Sequence, residues 1–94
     1  KNECDIYIVT MLQDSIKTGI VIANQLRQSG FQVEMDSLRR SMKSQLREAN
    51  KMGARYTAIL GEEELKRKKI TIKDMGTGDQ QTIEIGSILS FFQN

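Results

Sequence analysis

The chain has no histidine, no tryptophan and no proline, one cysteine, and five aromatic residues among 94. Without histidine there can be no imidazole ligand to a metal and no Ser–His or Cys–His catalysis. A single thiol, Cys4, cannot close an intrachain disulfide and suits a reducing compartment, so a cytoplasmic protein is predicted. Cys4 has no neighbour in sequence that gives it a role, and it is read as incidental. Without proline, repeats or low-complexity stretches there is no linker signal, and residues 1–94 read as one domain. Long apolar runs are also missing. The longest uncharged one, Ile20-Val21-Ile22-Ala23, is far too short to cross a bilayer, which predicts no membrane segment. What remains is 38% hydrophobic and 28% charged, a globular composition whose core should be aliphatic. Chemistry would have to come from carboxylates, Lys, Arg or hydroxyls, so binding is favoured over catalysis.

Charge is unevenly distributed. Residues 1–36 carry three basic and five acidic side chains, 37–73 carry eleven and four, and 74–94 carry three acidic ones and no basic one. A basic block between acidic flanks points to an anionic partner, nucleic acid before membrane. The same pattern also fits cations that only solvate helix surfaces.

The hydrophobic pattern alternates between strand and helix. Asp5–Thr10 reads as a buried strand. Asp14 or Ser15 can cap a helix with Ile16, Ile20, Ala23 and Leu26 on its apolar side, ended by Ser29-Gly30. Phe31–Met35 alternates as a second strand. A second helix, capped by Asp36 or Ser37, runs to Met52 and stops at Gly53, and Tyr56–Leu60 is a third buried strand. This order predicts parallel strands joined by right-handed crossovers. After Gly61 comes a helical turn, Glu62–Arg67, anchored by Leu65. Ile70–Met75 and Gln80–Ile85 flank Gly76-Thr77-Gly78-Asp79 as an antiparallel hairpin, and Ser87–Phe92 closes the chain as a helical turn. The predicted fold class is α/β: a βαβαβ layer sandwich plus a C-terminal β-hairpin, with a mixed sheet.

Two places can carry function. On the second helix Leu38, Met42, Leu46, Ala49 and Met52 form an apolar stripe, while Arg40, Lys43, Arg47 and Lys51 form a basic one beside Arg39. Such a helix can bury one side and track phosphates with the other. The loop after the third strand, Gly61-Glu62-Glu63-Glu64, opens at the carboxyl edge of the parallel strands, where α/β folds place ligands. Its carboxylates can match a helix dipole, accept hydrogen bonds from bases, or act as acid, base or metal ligands. The run Lys66-Arg67-Lys68-Lys69 suits protection of an edge hairpin. Gly76 and Gly78 form no phosphate loop, since no strand-to-helix junction follows them.

These segments together resemble a known family. VEMD at 33–36, RSMKSQLREANKMGARY at 40–56, ILGEEEL at 59–65 and ITIKDMGTGDQ at 70–80 are similar to the C-terminal anticodon-binding domain of histidyl-tRNA synthetases. The opening DIYIVT and the helix ending QLRQSG fit the same pattern. The resemblance implies a five-stranded mixed sheet with about three helices that grips an anticodon stem-loop. It implies base contacts from Arg39, Glu64 and Lys73 and phosphate contacts from Arg40 and Lys43. Arg47, on the same basic stripe, is expected to join the phosphate contacts, and Glu64 and Lys73 are expected to point together to the carboxyl edge. Arg39 departs from the small residue, commonly glycine, that the family often has there.

The resemblance further implies that the chain is a fragment of a larger homodimeric synthetase. Its partners would be tRNA(His) and the catalytic domain of the same chain. No cofactor is expected in this domain; ATP and magnesium are expected in the absent catalytic domain. Three other classes fit parts of the sequence: a non-synthetase paralogue (a regulatory subunit of histidine biosynthesis or an uncharged-tRNA sensor), a small flavodoxin-like nucleotide binder, and a dimerisation domain.

Overall fold

A computed structural model describes residues 4–36 and 41–93. The elements are β1 (Ile6–Thr10), α1 (Gln13–Gln28), β2 (Val33–Met35), α2 (Met42–Lys51), β3 (Tyr56–Leu60), α3 (Glu62–Lys66), β4 (Lys69–Asp74), β5 (Gln80–Glu84), a 3-10 turn (Ile85–Ser87) and α4 (Ile88–Gln93). The five strands lie in the order β2-β1-β3-β4-β5. β1 is parallel to β2 and β3, β4 is antiparallel to β3, and β5 is antiparallel to β4. The mixed sheet is therefore present as expected. There are four helices among the described residues, one more than the resemblance implies.

Alternation along the strands sorts the side chains onto two faces. On one face Ile6, Ile8, Ala58, Leu60, Ile70 and Ile72 are buried with Ile22, Ala23 and Leu26 of α1 and Ile88 of α4. On the other, Tyr7, Val9 and Ile59 are buried with Ala49 of α2. β1 lies under helices on both sides, which is why IYIVT is apolar almost throughout and buried at every position. Cys4 belongs to the second core and is fully buried, its Sγ 3.2 Å from the Ile6 carbonyl oxygen. Burial pushes its thiol pKa up. It is a packing residue and not an incidental one.

Helix boundaries follow their local chemistry. α1 begins earlier than Asp14 or Ser15 suggests, because Ser15 acts from inside the first turn. Its hydroxyl accepts the Leu12 N–H at 3.0 Å and donates to the Leu12 carbonyl at 2.7 Å. Its buried side is Ser15, Gly19, Ile22, Ala23 and Leu26, whereas Ile20 is 48% exposed, so the apolar stripe is rotated from the predicted one. α2 begins at Met42, where the Ser41 hydroxyl accepts the Ser44 N–H at 3.2 Å, later than a start at Asp36 would give; Ser37, the other predicted cap, lies outside the described residues. Both helices end in the same way. Gly30 and Gly53 take φ of +98° and +71°, and Phe31 and Ala54 then donate to the carbonyls of Leu26 and Ala49.

The hairpin loop is organised by Asp74, whose Oδ1 accepts the N–H groups of Gly76 at 2.8 Å and Thr77 at 3.1 Å. β4 consequently ends at Asp74, one residue before the predicted strand end at Met75.

Candidate nucleic-acid interface

α2 covers only part of its sheet face. Its core partners come from β1 and β3, and among the described residues no helix packs an apolar core onto the same face of β4 and β5. Three cross-strand pairs occupy it: Lys69 opposite Glu84, Thr71 opposite Thr82, and Lys73 opposite Gln80. Lys69 and Glu84 form an ion pair at 3.4 Å. β4 is an interior strand, so Lys69 matches a charge across the hairpin and does not guard an edge.

Glu64 reaches this face from the first turn of α3. Its Oε1 accepts the Gly61 N–H at 3.1 Å, and its Oε2 accepts the Thr71 hydroxyl at 3.0 Å. The carboxylate thus closes the start of its own helix and is tied to β4. Lys73 lies two positions beyond Thr71 on the same face, ~7 Å further along the strand. It pairs with Thr57, near the beginning of β3. Glu64 therefore stands at the carboxyl edge, as expected, but Lys73 does not. They share a face and not an edge, because β4 runs back against β3.

The other two acids of the loop point elsewhere. Glu62 and Glu63 form exposed pairs with Lys66 at 3.8 Å and Arg67 at 3.9 Å, of the i,i+4 kind that contribute little to stability. No group of three Cys, Asp or Glu side chains among the described residues could hold a metal ion.

On α2, Lys43 and Arg47 lie one turn apart and Lys51 a further turn on, opposite the buried Gln45 and Ala49. Gln45 fixes this orientation. β2 pairs with β1 only as far as Ile8, which leaves Thr10 without a strand on that side. The Gln45 amide takes the strand's place: its Oε1 accepts the Thr10 N–H at 3.1 Å and its Nε2 donates to the Thr10 carbonyl at 2.9 Å. Sequence reasoning misses Gln45, whose only signal is a polar residue beside an apolar stripe. Arg39 and Arg40 lie outside the described residues.

A separate concavity of about 470 Å³ opens at the amino edge, lined by Asp5, Phe31, Arg55, Tyr56, Phe91 and Phe92 among others. Three aromatic ring pairs, with centroids 5.0–6.0 Å apart, pack this end of the molecule. None of the candidate residues lines it.

Residues 5–94 match a protein family described as the anticodon binding domain. A histidine–tRNA ligase of Staphylococcus haemolyticus is 37% identical over 89 residues, which are 95% of this chain and 21% of that enzyme. The solved apo histidyl-tRNA synthetase of Staphylococcus aureus is 33% identical, with a TM-score of 0.92 over 100% of this chain and 24% of its own. The RNA binding domain of threonyl-tRNA synthetase from Cryptosporidium parvum shares the fold, with a TM-score of 0.84 at 19% identity over 96% of this chain and 23% of its own. The chain thus spans between a fifth and a quarter of the proteins it matches.

Proposed function

This chain belongs to the anticodon-binding domain family, and from that premise we propose that it is the domain with which a histidine–tRNA ligase holds the anticodon stem-loop of tRNA(His). The observation that carries the reading is an ordered carboxylate, Glu64, on the same open sheet face as Lys73, beside a helix with a basic outer side. Unpaired bases offer amino and imino donors and carbonyl acceptors. A carboxylate accepts from the first and an ammonium donates to the second, so the pair can read bases splayed onto the face. Lys43 and Arg47 supply the sequence-independent part, phosphate neutralisation. Arg39 and Arg40 lie outside the described residues; in this reading Arg39 adds a base contact and Arg40 a phosphate contact.

The domain contributes position and not chemistry. Aminoacylation, with its ATP and magnesium, belongs to the remainder of the ligase, a cytoplasmic homodimer. The test is binding of the full-length protein to a tRNA(His) stem-loop and to one with a single anticodon base replaced. The cognate loop should bind about tenfold more tightly, the size of one hydrogen bond to a base. Equal affinities would overturn the reading. Cognate preference without histidylation would assign the domain to an uncharged-tRNA sensor instead.

A further inference from the structure

Resting on the reading of Glu64 as a base acceptor, we infer that Thr71 and Thr82 are the positioning residues that set what this face recognises. The Thr71 hydroxyl has a single proton, and its neighbours are Glu64 Oε2 at 3.0 Å and Thr82 Oγ1 at 3.1 Å. An ionised carboxylate can only accept, so the Thr71 proton goes to Glu64. The contact between the two threonines leaves the donor open on geometry alone, and this commitment decides it. Thr82 donates to Thr71, giving a directed chain from Thr82 through Thr71 to Glu64.

The chain has two consequences. First, Glu64 is held at both oxygens, by the Gly61 N–H and by Thr71. Its remaining lone pairs therefore face outward in a fixed direction, which a lone surface glutamate does not achieve. Secondly, the exposed Thr82 hydroxyl has spent its proton inward and offers solvent only lone pairs. The patch is a row of acceptors crossing from α3 to β5, flanked two positions along β4 by Lys73 on one side and by Lys69, paired with Glu84, on the other. It selects ligand edges rich in N–H donors and disfavours edges that present carbonyl or ring-nitrogen acceptors. Thr71 acts through Glu64 and needs no contact with RNA, while Thr82 acts through Thr71 and through the lone pairs it turns outward.

The test uses the full-length protein with Thr71→Val, Thr71→Ser and Thr82→Val, measuring affinity for cognate and base-substituted stem-loops together with thermal stability. Thr71→Val keeps the shape and removes the proton, and should lower the cognate preference about tenfold, the loss expected for one hydrogen bond to a charged group. Thr71→Ser should restore it. Thr82→Val, at an exposed strand position where Val is well tolerated, should lower the preference about threefold without lowering stability. Should Thr71→Val fail to fold, Thr82→Val and Thr71→Ser still decide the matter. A parallel loss of affinity for both stem-loops would reduce the threonines to structural support and overturn the inference. So would an unchanged preference in Thr71→Val and Thr82→Val when Glu64→Gln abolishes it. A parent protein with no preference at all would overturn the tRNA reading itself, and this inference with it.

Discussion

The two faces of the sheet are built from the same alternating strands, yet only one is sealed. On the α1 and α4 side the apolar core runs through all five strands, from Val33 of β2 to Ile72 of β4, with Ile83 of β5 packed against it. On the α2 side the core stops at Ile59 of β3, and the next strands present Lys69, Thr71, Lys73, Thr82 and Glu84. The first face holds the fold together. The second has a helix over one half and a polar floor over the other, and every described candidate for recognition lies on the floor, at its rim or on that helix. The proposed site lies where the cover ends, between α2 and the hairpin.

That comparison can be broken by substitution. The largest effect belongs to the sealed face: Ile70→Ala should cost about 3 kcal/mol in denaturant unfolding, as for other buried isoleucines cut to alanine. On the open face Lys73→Ala should change stability by no more than about 0.5 kcal/mol. Similar costs for both would mean the hairpin floor is also core. Next comes the tie between α2 and the sheet. Gln45→Leu keeps the volume but orphans the N–H and C=O of Thr10, and should destabilise by about 2 kcal/mol. A neutral result would show that α2 is held by apolar packing alone.

Smaller is the effect at the end of α3. Lys68 takes φ +55° at the position where α1 and α2 carry glycine. Lys68→Gly should therefore raise stability by about 1 kcal/mol, the left-handed penalty of a residue with a Cβ. A lowered melting temperature would show that the lysine side chain contributes more than its backbone costs. The smallest stability change should come from Lys43→Ala with Arg47→Ala on the outer side of α2. That pair should still flatten the salt dependence of tRNA binding by about 1.5 units of slope, the share of two neutralised phosphates. An unchanged slope would make α2 an ordinary solvated helix.

Most of the sheet is legible in the sequence because buried strands and amphipathic helices leave periodic traces. IYIVT, YTAIL and the Gly-Thr-Gly-Asp loop suffice for four of the strands and the hairpin. The site is only half legible. Glu64 can be found because its loop follows a strand at the carboxyl edge and the family resemblance picks it out from three adjacent acids. Lys73 is expected at the wrong edge, since its height on the sheet depends on the register of β4 against β3, which no local pattern encodes. Gln45 and Cys4 escape the sequence for a related reason: each is polar or solitary there and acquires its role from a partner far along the chain or from burial. The start of α2 is predicted too early because several Asp and Ser residues precede the helix, and the sequence alone does not say that Ser41 bonds the Ser44 N–H.

Glu64→Gln separates an open face that reads bases from one that merely attracts RNA. Gln keeps the shape but turns one acceptor into an N–H donor: its oxygen can still accept the Gly61 N–H, while its NH2 faces Thr71 and points a donor at the face where the carboxylate offered only lone pairs. In the full-length protein, affinities for the histidine anticodon stem-loop and for a base-substituted one should converge, the cognate losing about tenfold and the substituted one little. Equal loss for both, or no loss for either, would contradict the claim and leave Glu64 as the cap of a five-residue helix.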